Sequence, residues 1–189
     1  EAKLSMINFL KNRLEKITYE TKSHYDRLKE LTAMMADALN LSETEKEELR
    51  LLCEFHDIGK IGVSKNILQK EGKLSNEEWE NIKRHSEIGY YIAKEVKHAS
   101  SIDELILIHH ERWDGNGYPG LLKNDEIPLV ARIFAIADAY DMMVNDRPFK
   151  TKMTKKAALK EIQEQSGSQF DPKLAEIFIN IIEKEEQVV

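Results

Sequence analysis

The run Phe55-His56-Asp57-Ile58-Gly59-Lys60 sets an imidazole beside a carboxylate, with a lysine one turn on and a glycine that lets another group approach. His85, the doublet His109-His110 and Asp138 follow, each inside a stretch that is otherwise apolar and patterned for a helix. Five of the six histidines, at positions 24, 56, 85, 109 and 110, fall in such places. Histidine usage this concentrated points to one metal centre.

Each member has its own local logic. Glu20 and His24 are four apart and project from one side of a helix, where a buried Glu–His hydrogen bond would satisfy them as well as a metal. His56 and Asp57 lie roughly 100° apart around a helix, so they serve one ion together or let the aspartate bridge two. Lys60, four after His56, shares its face and suits a phosphate or a leaving oxygen. His85 alone says little. His109-His110 closes a helix before a Gly-rich loop, where neighbouring imidazoles can face two ions of one cluster. Asp138 stands in Ile136-Ala137-Asp138-Ala139-Tyr140, where a bare carboxylate is costly. Asp141, three residues on, shares its face and can orient a ligand from outside the ligand set.

Taken jointly, Glu20, His24, His56, Asp57, His85, His109, His110 and Asp138 form a mixed nitrogen and oxygen donor set without thiolate. Iron, manganese or zinc suits such donors. The three carboxylates do not cancel two or three divalent ions, so the site stays cationic and attracts an anion. Paired ions deprotonate a water and stabilise both oxygens of an in-line phosphoryl displacement. No serine or cysteine with a paired base is evident, so water is the expected attacker. The reaction class is metal-assisted phosphoester hydrolysis.

The elements that position these residues read as helices almost throughout; eight glycines and four prolines leave little room for turns, and no period-two strand is visible. A stripe runs from Ile7 through Leu10, Leu14, Ile17, Thr21, His24, Leu28, Leu31 and Met35 to Ala38, as one long helix or two in line. Ser42 with Glu45, and Ser75 with Glu78, form capping boxes. A helix from about Ser101 leads to His109-His110, and the segment 114–120 is one turn-rich loop. Pro128 starts the helix of Asp138, Thr154 caps another that Gly167 closes, and Asp171-Pro172 caps the last. The expectation is an all-α single helical bundle, with a Gly-rich loop beside a multinuclear metal site.

Composition narrows the setting. At 189 residues the chain suits one domain. Residues 1–19 read as a helical connector to an upstream sensor domain and as a surface for homodimers, and residues 20–189 as the working domain. A start at Glu1 rather than Met fits a piece of a longer protein. No apolar run is long enough to span a membrane, and no signal peptide opens the chain. The single cysteine, Cys53, excludes an internal disulfide, reads as core, and fits a cytoplasmic location. A net charge of -6 argues against a broad DNA- or RNA-duplex surface but not against a small phosphate ligand.

The chain resembles the HD-GYP domains, a bacterial subgroup of the HD phosphohydrolases. His56-Asp57-Ile58-Gly59-Lys60 looks like the HD motif, and the block from His109 to Pro119 like the one that names the family. The segments 136–141, 146–150 and 167–172 match downstream elements, so the similarity covers roughly residues 20 to 180. It implies an all-helical fold, a site with two or three iron or manganese ions, and hydrolysis of cyclic di-GMP to pGpG and often on to GMP. By position, His56, Asp57 (bridging), His85, His109, His110 and Asp138 would be the two-metal core. Glu20 and His24 match the extra pair of three-metal members, which makes a trinuclear centre the version implied here. Lys60, Arg147 and Lys150 match positions that hold substrate phosphates, and Tyr118 the tyrosine beside the bound nucleotide. Asp57 and Lys60 would carry the catalytic roles.

Three positions depart from the pattern: Leu121 and Asn124 stand where glycines are common, and Phe149 replaces a frequent tyrosine. These flank the site, so they bear on substrate preference more than on metal. Two rival functions stand beside the main one: a phosphodiesterase for another cyclic dinucleotide such as cyclic GMP-AMP, and a catalytically silent module that binds nucleotide or partner domains. His98 is given no role. Trp113 either stacks on a guanine or anchors its loop.

Overall fold

The computed structural model describes residues 2–18, 22–96, 101–146 and 151–186. The chain forms α1 (Ala2–Ile17), α2 (Lys22–Ala38), α3 (Glu43–Phe55), a 3-10 turn at Ile58–Gly62, α4 (Lys65–Leu68) and α5 (Asn76–Val96). There follow α6 (Ile102–Ile108), a second 3-10 turn at Asn124–Glu126, α7 (Leu129–Val144), α8 (Lys155–Glu164) and α9 (Pro172–Glu186). Among the described residues the one extended pairing is an isolated bridge between Ser166 and Phe170. The fold is all-α.

The helices begin where side chains satisfy their first amides. The Ser42 hydroxyl accepts from the Glu45 amide at 3.3 Å while the Glu45 carboxylate accepts from the Ser42 amide at 2.8 Å. Ser75 and Glu78 make the same exchange at 3.2 and 2.7 Å ahead of α5. Thr154 accepts from the Ala157 amide, and Asp171 from the Lys173 amide. Each such cap is worth about 1 kcal/mol. Pro128 occupies the cap position just outside α7.

The opening stripe is two helices, separated after Ile17. α1 lies against the turn Ile58–Gly62 and buries Leu14, and the Gln69 amide donates to the Ile17 carbonyl at 3.3 Å. The stripe's last member, Ala38, is exposed, and Ala36 takes its place in the core.

Helix α7 is the axle of the bundle. Val130, Ala131, Ile133, Phe134, Ile136, Ala137 and Tyr140 are all buried, so apolar residues surround it on nearly every side. Such a helix has to be enclosed, and α2, α3, α6, α8 and α9 enclose it. Burying each of Ile133, Phe134 and Ile136 fully contributes about 1.5–3 kcal/mol. Cys53 is core, its sulfur 3.4 Å from the Thr32 hydroxyl, and burial pushes its thiol up to about 12. In so apolar a setting Asp138 and Asp141 are the two carboxylates, and both turn toward His24 of α2.

Candidate metal centre

Helix α3 ends at Phe55 with His56 as its cap, still in helical conformation, and Asp57 (φ -96°, ψ 5°) leaves the helix, so the pair does not continue one helix as the sequence spacing suggests. The chain tightens into the 3-10 turn, and Lys60 reaches back to Asp57 rather than sharing a helical face with His56: its ammonium donates to Asp57 Oδ2 at 2.7 Å. The glycine that admits a neighbour, Gly59, admits the backbone of α5, which carries His85.

Two groups of ligand-type side chains result. His85, from mid-α5, meets His109 and His110 from the end of α6. His24 of α2 meets His56 and Asp138 of α7. Within each group the donor atoms lie within 4.8 Å of one another. Asp57 stands between the groups. Its Oδ2 is 3.1 Å from His56 Nε2, and its Oδ1 is 3.5 Å from His85 Nε2.

The protonation states suit metal. His85 Nδ1 donates to the Ile82 carbonyl and His109 Nδ1 to the Ile106 carbonyl, each at 2.6 Å. A carbonyl only accepts, so both Nδ1 atoms carry hydrogen and the neutral rings aim their Nε2 lone pairs inward. Burial, reinforced by the neighbouring imidazoles, holds His109 and His110 well below the ordinary histidine range, and burial lowers His85 as well. His85 Nε2 and His109 Nε2 therefore face each other, lone pair to lone pair, at 3.4 Å. A cation between them converts that repulsion into coordination; two nitrogens about 2.1 Å from one ion sit about this far apart. Burial alone would raise Asp57, but Lys60, His56 and His85 outweigh it and hold the carboxyl well below its usual range. Neutral imidazoles and an ionised carboxylate are the forms that bind a divalent ion.

Behind His24 sits a second layer. Its Nδ1 donates to Asp141 Oδ2 at 2.7 Å. Arg27 donates to both Asp141 oxygens, Nε to Oδ1 at 2.5 Å and Nη2 to Oδ2 at 3.0 Å, and Asn145 donates to Oδ1 at 2.9 Å. The sequence reading passed over Arg27 and Asn145. The available signal was spacing: His24 and Arg27 are three apart on α2, as are Asp138 and Asp141 on α7.

The loop after His110 folds back on it. The Tyr118 amide donates to the His110 carbonyl at 3.2 Å, and the Tyr118 ring stacks on the His110 ring at 4.6 Å. A β-carbon at Gly117 would meet the His110 carbonyl oxygen at 2.5 Å, so only glycine fits there. Buried Glu111 accepts from the Leu121 amide at 2.7 Å. Asn124 has φ 50°, a left-handed conformation that asparagine tolerates and glycine adopts freely, which accounts for that departure from the family pattern. Trp113 anchors the loop: its amide donates to the Gln169 carbonyl, and the Arg132 guanidinium lies 5.7 Å from its ring centre. Glu20, His98, Arg147, Phe149 and Lys150 lie outside the described residues.

A family model described as "HD domain" matches residues 5–174. The chain belongs to the HD domain family. Its block from His109 to Pro119 resembles the one that names the HD-GYP subgroup. A cyclic di-GMP phosphodiesterase of Thermotoga maritima is 41% identical over 170 residues, covering 88% of this chain and 45% of that protein. The 3'3'-cGAMP-specific phosphodiesterase 2 of Vibrio cholerae is 34% identical over 181 residues, covering 95% of this chain and 35% of that one. This HD domain thus spans less than half the length of these curated relatives. Among solved structures, Bd1817, an HD-GYP-type protein from Bdellovibrio bacteriovorus, shares the fold with a TM-score of 0.69 at 21% identity, over 85% of this chain and 51% of that one. No helix among the described residues is long and apolar enough to cross a membrane.

Proposed function

We propose that this chain is a metal-dependent phosphodiesterase that hydrolyses cyclic di-GMP to pGpG, and onward to GMP, with water as the nucleophile. The observation that carries the reading is the position of Asp57, one oxygen toward each group of ligands. His85, His109 and His110 would hold one ion, and His24, His56 and Asp138 another, with Asp57 shared between them. Glu20, by resemblance, would extend the His24 side to a third. Iron or manganese suits these nitrogen and oxygen donors, with zinc an acceptable substitute. Bound divalent ions supply the activation of water and the neutralisation of charge on the phosphoryl oxygens.

The chain's own residues supply the rest. The Lys60 ammonium beside Asp57 is positioned to meet a phosphate oxygen as charge builds on it. Tyr118, stacked on His110, walls the ligands on the loop side, where a nucleotide base would lie. Arg147 and Lys150 are assigned to the substrate phosphates by resemblance. α1 would link the domain to an upstream sensor and to a second copy, in the cytoplasm.

The name and 41% identity of the Thermotoga relative favour cyclic di-GMP. A second reading, 3'3'-cGAMP as substrate, is favoured by the Vibrio relative that matches 95% of the chain. Asp57→Ala tests the shared mechanism. The variant is expected to fold, by circular dichroism, and to lose more than the roughly 100-fold that removal of an outer-shell partner costs. Wild-type turnover in Asp57→Ala would overturn the proposal.

A further inference from the structure

We propose that Arg27 is a positioning residue whose fork on Asp141 fixes His24 as a ligand and so sets the metal affinity of the His24–His56–Asp138 position alone. The inference rests on reading that group as one metal position.

The geometry around Asp141 leaves the carboxylate one role. Its side chain is 2% exposed, and its two oxygens receive four donors: Arg27 Nε and Asn145 Nδ2 on Oδ1, Arg27 Nη2 and His24 Nδ1 on Oδ2. A carboxylate only accepts, so Asp141 takes the Nδ1 hydrogen of His24, and Nε2, 3.7 Å from Asp138 Oδ1, is the ring nitrogen that faces the proposed metal position. A planar guanidinium is required because it meets both oxygens at once and fixes the plane of the carboxylate. Removing Arg27 leaves a buried carboxylate held by His24 and Asn145, free to rotate and to carry the imidazole with it.

The relay reaches one group only. His85 and His109 are oriented by the carbonyls of Ile82 and Ile106, from their own helices, with no side chain in between. Arg27 is thus predicted to act on one metal position and leave the other alone. A merely structural arginine would not discriminate.

The test is a Mn(II) binding isotherm on the purified chain, free Mn(II) being read by electron paramagnetic resonance and bound metal per chain by mass spectrometry. In Arg27→Met one class of site is expected to weaken by about 10–100-fold, as outer-shell substitutions do, while the other is unchanged. His24→Ala should weaken the same class and His85→Ala the other. Arg27→Lys, which keeps the charge and loses the fork, should fall between wild type and Arg27→Met. Asn145→Ala removes one donor and keeps the ion pair, so it should shift the same class less; it also serves if Arg27→Met does not fold. Two wild-type classes that these variants leave unmoved, or weaken equally, overturn the role of Arg27 alone. A single class in the wild-type chain overturns the two-position reading and this proposal with it.

Discussion

A β-carbon on Gly59 would stand 1.9 Å from the carbonyl oxygen of His85 and 2.5 Å from the amide nitrogen of Gly89. The turn bearing Asp57 and Lys60 therefore rests directly on the backbone of α5, and this contact sets the spacing of Asp57 from His85. Gly59→Ala has to push the two elements apart. It is predicted to lower stability by at least about 2 kcal/mol, the scale of an overpacked core, and to weaken metal binding as well. Urea unfolding together with Mn(II) titration checks this; a variant equal to wild type in both would contradict it.

The closing segment 167–172 acts as a clasp on the metal loop. The carbonyls of Ser168 and Gln169 accept from the amides of Asp114 and Trp113 at 2.8 and 3.1 Å. Asp171 anchors the clasp, capping α9 and accepting from Arg132 Nη1 at 2.7 Å. Asp171→Ala removes the cap and leaves Arg132, only 15% exposed, with exposed Asp125 as its remaining carboxylate. The expected loss is roughly 3 kcal/mol by chemical denaturation. A loss under about 0.5 kcal/mol, typical of a surface site, would show that the clasp bears no load.

Stability of the metal-free chain should fall in acid. Burial depresses His85, His109 and His110 below the ordinary histidine value, whereas in the unfolded chain they titrate near about 6.5. Between those limits the unfolded state binds more protons, so stability rises with pH and is lost as pH drops below about 6.5. Asp57, also depressed, adds stability that is present above about 3.9 and disappears as pH falls through its folded value. Calorimetry on the metal-free chain is expected to give a Tm that declines from pH 7.5 to 5.5. A flat or rising Tm would mean the three imidazoles are not buried neutral.

The sequence carried much of this, for identifiable reasons. Capping at Ser42, Ser75, Thr154 and Asp171 is local chemistry, so those helix starts are readable without tertiary knowledge. The ligand types were also visible, because histidine and aspartate inside apolar runs need an explanation. Which histidines share an ion was not visible. That partition depends on α2 packing against α3 and α7 while α5 packs against α6 and the Ile58–Gly62 turn, a property of packing. Nor was the direction of Lys60, because periodicity cannot foresee that α3 ends at Phe55 and tightens into a 3-10 turn. Arg27 resembled any surface cation on an amphipathic helix; only the position of Asp141 opposite it gives it a role.

The measurement that tests the central claim most directly is product analysis. The chain, purified without oxygen and loaded with Fe(II) or Mn(II), is incubated with cyclic di-GMP and, in parallel, with 3'3'-cGAMP, and the products are resolved by chromatography alongside a count of bound metal. Two or three ions per chain with pGpG or GMP from cyclic di-GMP is the predicted result. Turnover of 3'3'-cGAMP alone would move the substrate to the second reading. Metal bound with neither nucleotide cleaved, or no metal bound after reconstitution, would contradict the account and leave a binding module in place of an enzyme.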